Sequence, residues 1–297
     1  MPENHRVCPI CGNDRFNLFL EGKDYFLTAE SFSIISCSAC GFRMTDPVPG
    51  KEDIGRYYES NEYISHDTED KNLVNTVYKM ARFFTLRSKY RLVKKSSTGT
   101  HLMDIGCGTG EFLGYCKGRG YDVKGIEPNA KARDFAARKQ AIPVRAEIAF
   151  SEEEKGTFDC ITLWHVLEHI PDLDQTLGLI RDALRQTGIL ILALPNPDSW
   201  DAKYYGGHWA AFDLPRHLYH FSSGDVNRLA RKNGFTVRKI LPQYLDSFYI
   251  SLLSEKYKRG RKDPVRGFFN GLRSNLHAPG RSFGYSSHIY ILSANIS

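Results

Sequence analysis

Long apolar runs are missing from this 297-residue chain. The longest clean one, Ile189–Leu194, falls far short of the roughly 20 residues that a membrane-spanning helix needs. No apolar segment follows the opening Met1-Pro2-Glu3-Asn4, so no secretory signal is expected and the expected location is the cytoplasm. Thiols stay reduced there, and cysteines are read as ligands before disulfides. Internal repeats and low-complexity tracts are also lacking. Charge is close to balanced: 40 Lys and Arg face 34 Asp and Glu, a net +6. Such a balance admits an anionic substrate without demanding nucleic acid. No membrane partner is expected, and a homodimer is left open.

What is present suits one sizeable domain with a small appendage. Four of the seven cysteines form two pairs, Cys8-Pro-Ile-Cys11-Gly and Cys37-Ser-Ala-Cys40-Gly. Two CxxC turns supply the four soft ligands of a tetrahedral zinc, so residues 1–50 are expected to form a zinc ribbon with a structural ion on Cys8, Cys11, Cys37 and Cys40. The other three cysteines read as small buried hydrophobes. The "DPVPG" stretch at 46–50 marks a turn or linker. Residues 51–99 are expected to be a helical linker or lid. Within them 70–95 reads as a helix with Leu73, Val77, Ala81 and Phe84 on its apolar face and a solvated basic tail.

From residue 100 strands and helices alternate, which calls for an α/β, doubly wound sheet with helices on both faces. The 173–188 segment reads as a helix closed by Gly188. In such a sheet, ligands bind at the carboxyl ends of the strands. The first of these ends reads Asp104-Ile-Gly106-Cys107-Gly108-Thr109-Gly110-Glu111. Position 111 is glutamate, so the G-x-G-x-x-G of a dinucleotide site is not there, and Asp104 would face a pyrophosphate badly. It would suit a cation. Glu127 ends the next strand, placed to accept both hydroxyls of a ribose. S-adenosylmethionine has a ribose, an ammonium and a sulfonium, and no phosphate.

With "LMDIGCGTGEFL", "VKGIEPN", "FDCITLWHVLEHIPD" and "GILILALPNP" in this order, the chain resembles class I S-adenosylmethionine-dependent methyltransferases over about residues 100–240 and the final strand. The resemblance implies a seven-stranded sheet with an antiparallel last strand in a methyltransferase domain spanning 100–297. It also implies a cofactor site of Asp104, Gly106, Cys107, Gly108 and Gly110 around the methionine part and Glu127 and Pro128 at the ribose. Glu147 would lie near the adenine, and His165 would line the methionine pocket.

His165-x-x-Glu168-His169 matches the HxxEH pattern of one metalloprotease group. That chemistry needs a continuous helix, whereas here a strand precedes His165 and Pro171 follows closely. A second loop, 206–222, carries His208, Asp213, His217 and His220. Histidine suits removal of a proton near neutral pH. The expected general base is therefore His217 or His220, oriented by Asp213 or Glu168. The expected activity is methyl transfer to oxygen or carbon of a small or medium-sized acceptor: a sugar, a glycan precursor or a secondary metabolite. RNA methylation is the alternative within enzymes, and a zinc-ribbon binding protein with a degenerate methyltransferase fold is the alternative outside them. Residues 245–285 exceed a normal connection and are expected to form a partly helical cap or a dimer contact.

Overall fold

The structure is a computed structural model describing residues 6–50, 52–58, 73–278 and 284–295, with side chains from 83 onward in the third span. Its centre is a seven-stranded sheet in the order β10-β11-β8-β7-β4-β5-β6. Strands β4 (His101–Ile105), β5 (Asp122–Ile126), β6 (Val144–Arg145), β7 (Phe158–Trp164) and β8 (Leu184–Pro195) run parallel. The last strand, β11 (Ser287–Ala294), enters antiparallel between β8 and β10 (Phe235–Pro242). This is the Rossmann-like arrangement expected. Strand β7 is buried on both faces from Phe158 to Leu163, as a central parallel strand must be.

Helices α2 (Glu111–Lys117), α3 (Ala130–Gln140), α4 (Leu173–Ala183) and α6 (Ser223–Lys232) connect these strands. Ser222 caps α6 with a capping box to Asp225, and Gly234 beyond it has φ +77°, the left-handed conformation in which glycine closes a helix. One expected boundary is corrected. Helix α4 stops at Ala183, and Gly188 lies inside β8. The N–H groups of Gly156 and Thr157 take the carbonyls of Asp182 and Ala183. Leu184 then pairs with Phe158 in the ladder, so the chain is already extended four residues before the glycine. At Gly188 a Cβ would sit 2.8 Å from the Phe158 carbonyl; its job is close approach, not helix closure.

The N-terminal segment forms a second sheet, β1 (Phe16–Lys23), β2 (Ser31–Cys37) and β3 (Arg43–Asp46), joined at its edge by β9 (Tyr219–His220). Phe42, Met44, Cys8 and Cys37 share one buried core with Leu167 and Phe221. Helix α1 (Leu73–Ser96) packs against α2, with Val93 buried beside Leu102 and Leu113. Of the apolar face expected for it, Leu73, Val77 and Ala81 lie outside the described side chains, and Phe84 is 59% exposed, which corrects that assignment. Lys89 also departs from a solvated basic tail: its ammonium lies 4.5 Å from the Trp164 ring centroid. The connection from β10 to β11 contains α7 (Asp246–Arg259) and α8 (Pro264–His277), packed on each other and on α5 (Trp200–Tyr205).

Candidate active site

The parallel register aligns the ends of β4, β5 and β7, with Asp104 beside Gly125 on one side and Thr162 on the other. Asp104 is 3% exposed, and the Thr162 hydroxyl donates to it at 2.6 Å. Burial pushes its carboxyl up to about 7, a rise that Thr162 and the Lys89 ammonium partly offset. Beyond it the chain turns through Gly106, Gly108 and Gly110, all at positive φ. A Cβ on Gly106 would sit 2.4 Å from Val166, so glycine there lets the loop after β4 touch the loop after β7. Gly108 has open space where a Cβ would be. Glu127 follows directly on β5, with one carboxylate oxygen accepting from Gly108 N–H at 2.8 Å and the other from Asn129 N–H at 2.9 Å. Each oxygen keeps a lone pair for a further donor.

A buried acid without a full cationic partner, a glycine-lined opening and a carboxylate with spare lone pairs form a donor set that fits S-adenosylmethionine. Cys107 is buried, with its sulfur where a Cβ on Gly125 would be. Pro128 follows Glu127 and gives its carbonyl to Arg133. Glu147 is exposed in the stretch after β6.

The five histidines of the two expected loops separate. Residues 167–169 form a single 3₁₀ turn, not the continuous helix of a protease site. His165 adopts φ +58° at the end of β7. Its Nε2 lies 3.1 Å from Asp246 of α7 and its Nδ1 3.6 Å from Glu168. Burial opposes charge on this imidazole, but the two acids hold its pKa up at about 10. His169 meets the Arg216 carbonyl through Nδ1 at 2.9 Å and Tyr58 Oη at 3.1 Å. Its ring stands edge-on to His217 with centroids 4.6 Å apart. His217 meets the Ala211 carbonyl through Nδ1 at 2.9 Å, which leaves Nε2 as the bare nitrogen. That Nε2 is 3.9 Å from both Glu168 and Asp213. Burial and the neighbouring His169 push its pKa down to about 4. Glu168 is 1% exposed, and neither carboxylate oxygen has a hydrogen-bond partner.

His220 and His208 are not in this cluster. His220 is buried with Nε2 3.1 Å from Thr45 Oγ1, and His208 lies against the Tyr25 ring. Asp213 gives both oxygens to Arg216, which also pairs with Asp24 at 3.1 Å. Arg216, Asp24, Thr45 and Lys89 escape sequence reading; a buried arginine leaves no periodic signal, although Arg216 stands beside the singled-out His217. The Sγ atoms of Cys8, Cys11, Cys37 and Cys40 lie within 4.8 Å of one another, with Cys8–Cys40 at 3.5 Å and Cys11–Cys37 at 3.6 Å.

A family profile described as a methyltransferase domain matches residues 78–240. A ubiquinone biosynthesis O-methyltransferase of Psychrobacter arcticus is 29% identical over 161 residues, 48% of this chain; the chain spans 62% of that relative's length. A crystal structure of an S-adenosylmethionine-dependent methyltransferase from Thermotoga maritima superposes with a TM-score of 0.50 at 20% identity, covering 75% of this chain and 96% of that one. Geranyl diphosphate C-methyltransferase from Streptomyces coelicolor superposes at 0.53 with 15% identity, covering 78% and 88%. At these identities the two structures speak for the fold alone. Over half of the chain matches the profile: it belongs to the methyltransferase-domain family and is an S-adenosylmethionine-dependent methyltransferase.

Proposed function

We propose that the protein methylates an oxygen of a small acceptor molecule, with His217 as general base. The observation that carries this is the His217–Glu168 arrangement. A neutral, buried imidazole holds its bare Nε2 3.9 Å from a buried carboxylate that has no hydrogen-bond partner. When His217 takes the acceptor's proton, the imidazolium forms beside a waiting negative charge. The site is thereby better matched to the transition state than to the ground state. Bound S-adenosylmethionine supplies an electrophilic methyl group. Asp104 would meet its ammonium, Lys89 its carboxylate and Glu127 its ribose, while the glycine loop gives the backbone access. His165, held cationic by Asp246 and Glu168, serves as a support for Glu168 and not as a second base. The relatives' names supply the choice of oxygen over carbon. His217→Ala should leave cofactor affinity within about twofold and reduce turnover by the 10²–10⁴-fold typical of a lost general base. Full turnover in that variant, measured on an accepted substrate, would remove His217 from the chemistry.

A second reading has its own observation. Glu168, His169 and His217 bring ligand atoms within 4.8 Å, and each histidine anchors its Nδ1 on a carbonyl, as metal ligands do. A divalent cation there would orient the acceptor oxygen. Metal analysis separates the readings: a second metal per chain, lost in His169→Ala, favours the cation.

The four cysteines support a structural zinc as well. Tetrahedral Zn–S bonds of 2.3 Å place sulfurs about 3.8 Å apart, close to the separations seen. Gly12 and Gly41 follow the pairs at φ +75° and +76°, and their N–H groups return to the carbonyls of Cys8 and Cys37, closing both knuckles. About one zinc per chain is expected on elemental analysis of chelator-free protein; none would end this assignment. Residues 1–50 are on this reading a zinc-ribbon module, 51–99 a linker with a lid helix, and 100–297 the methyltransferase domain.

A further inference from the structure

Helices α7 and α8 form a hairpin built inside out. On α8 the buried positions are Gly267, Asn270, Gly271 and Ser274. A Cβ on Gly267 would lie 2.8 Å from Leu252 Cα, and one on Gly271 would lie 2.7 Å from Phe248 Cα. The two backbones therefore meet through a small-xxx-small seam of the kind used where helices pack without large apolar side chains between them. The large ones point the other way. Val265, Phe268, Phe269, Leu272 and Leu276 recur at helical spacing on one stripe, and all are exposed, Leu276 by 70%. Tyr249 on α7 adds a further exposed ring at 65%. A soluble helix normally turns such a stripe inward, and contiguous exposed apolar surface marks an interaction site.

The net charge of this hairpin points to its partner. Between Asp246 and His277 stand Lys256, Lys258, Arg259, Arg261, Lys262, Arg266 and Arg273 against Asp246, Glu255 and Asp263. Four of the chain's six net positive charges thus reside in this hairpin. Its acids are engaged: Asp246 with His165, Glu255 with Arg259, and Asp263 capping α8 while pairing with Arg266. Arg266 and Arg273 lie about a quarter turn from the stripe's centre, along one edge. A second copy seated here by a two-fold axis would bring two cationic rims together, which repel.

We propose that this hairpin docks on the anionic surface of a lipid bilayer, its aromatic stripe in the headgroup interface and its Lys and Arg rim on the phosphates. No described helix is long and apolar enough to cross a membrane, and the contact proposed is of a hairpin lying on the bilayer. This departs from the expectation of no membrane partner and is independent of the methyl acceptor.

The test is co-sedimentation of the full chain with phosphatidylcholine vesicles, with and without phosphatidylglycerol. Binding is expected only with phosphatidylglycerol and should weaken as salt is raised. Phe268→Ser with Phe269→Ser should abolish it while cofactor affinity stays unchanged. Arg261→Gln with Lys262→Gln should weaken partition about thirtyfold, each cation near the surface contributing about fivefold. Absence of binding to phosphatidylglycerol vesicles at low salt would overturn the proposal. So would binding that neither double variant alters. A wild-type dimer dispersed by Phe268→Ser with Phe269→Ser, without vesicle binding, would assign the face to a second copy instead.

Discussion

On the proposed reading, Asp104 should set a pH dependence of cofactor binding that is visible without any acceptor. Burial raises its carboxyl to about 7 in the free protein. A cation bound beside it favours the charged form, so binding an ammonium costs a proton when Asp104 is neutral. The sign follows: cofactor affinity should be flat above pH 7 and fall as pH drops through it, about tenfold per unit. Calorimetry in buffers of different ionisation enthalpy should register proton release, and Asp104→Asn should flatten the profile. Glu127→Ala removes the acceptor of Gly108 N–H and Asn129 N–H and, on the proposed reading, that of the ribose; at about 1.5–3 kcal/mol per charged hydrogen bond, cofactor binding should weaken at least tenfold. Unchanged affinity would refute the ribose assignment. Glu154 acts on stability. Its burial alone would raise its pKa, but hydrogen bonds from Lys124 and Arg145 hold it down at about 2. A depressed carboxyl adds stability above its unfolded value of about 4.5 and loses it as pH falls toward 2. The contribution is of order 3 kcal/mol. Urea melts of Glu154→Gln should therefore be weaker at neutral pH and show a shallower acid limb over that interval.

The elements differ in how far the sequence reveals them. The glycine turn after β4 was legible because it is local. Strand, glycine turn and helix follow one another within Asp104–Glu111, and positive φ at three glycines is written in their identity. The end of α4 was not legible, because the residue that closes a helix there is not a glycine but the N–H groups of Gly156 and Thr157 arriving from the preceding loop. Choosing between His217 and His220 was also out of reach. They stand three residues apart, and only the pairing of β9 with β3 turns His220 toward Thr45, 175 positions away in the chain. Arg216 and Asp24 are separated by 192, so no spacing rule links them. That pair makes its own prediction: Arg216→Met strips a buried ion partner from Asp24 and Asp213 together. Breaking such a pair costs about 3–5 kcal/mol, and thermal unfolding should register it even where the cofactor still binds.

At the scale of the whole molecule, the N-terminal module and the loop that carries His217 share one sheet. Thr45 N–H donates to Leu218 O at 3.0 Å, and Arg43 pairs with Asp198 at 2.8 Å. Thr45 Oγ1 also donates to the His217 carbonyl. Asp24, in the loop between β1 and β2, holds Arg216, whose own carbonyl receives His169. The imidazole cluster is thus held by contacts from the N-terminal module, which on the proposed reading is organised by a zinc on its four cysteines. Cofactor binding and proton removal should then respond differently when that module is loosened. Removing the metal with a strong chelator, or Cys37→Ser, should leave cofactor affinity within a few fold, because Asp104, Glu127 and the glycine loop belong to the central sheet. Turnover should fall by tenfold or more, since a misplacement of about 1 Å at a catalytic group costs roughly a hundredfold. The measurement pairs cofactor titration with turnover on the same preparation. Parallel loss of both would mean that the module supports the central fold as a whole; retention of both would mean that β3 and β9 hold the loop without the metal.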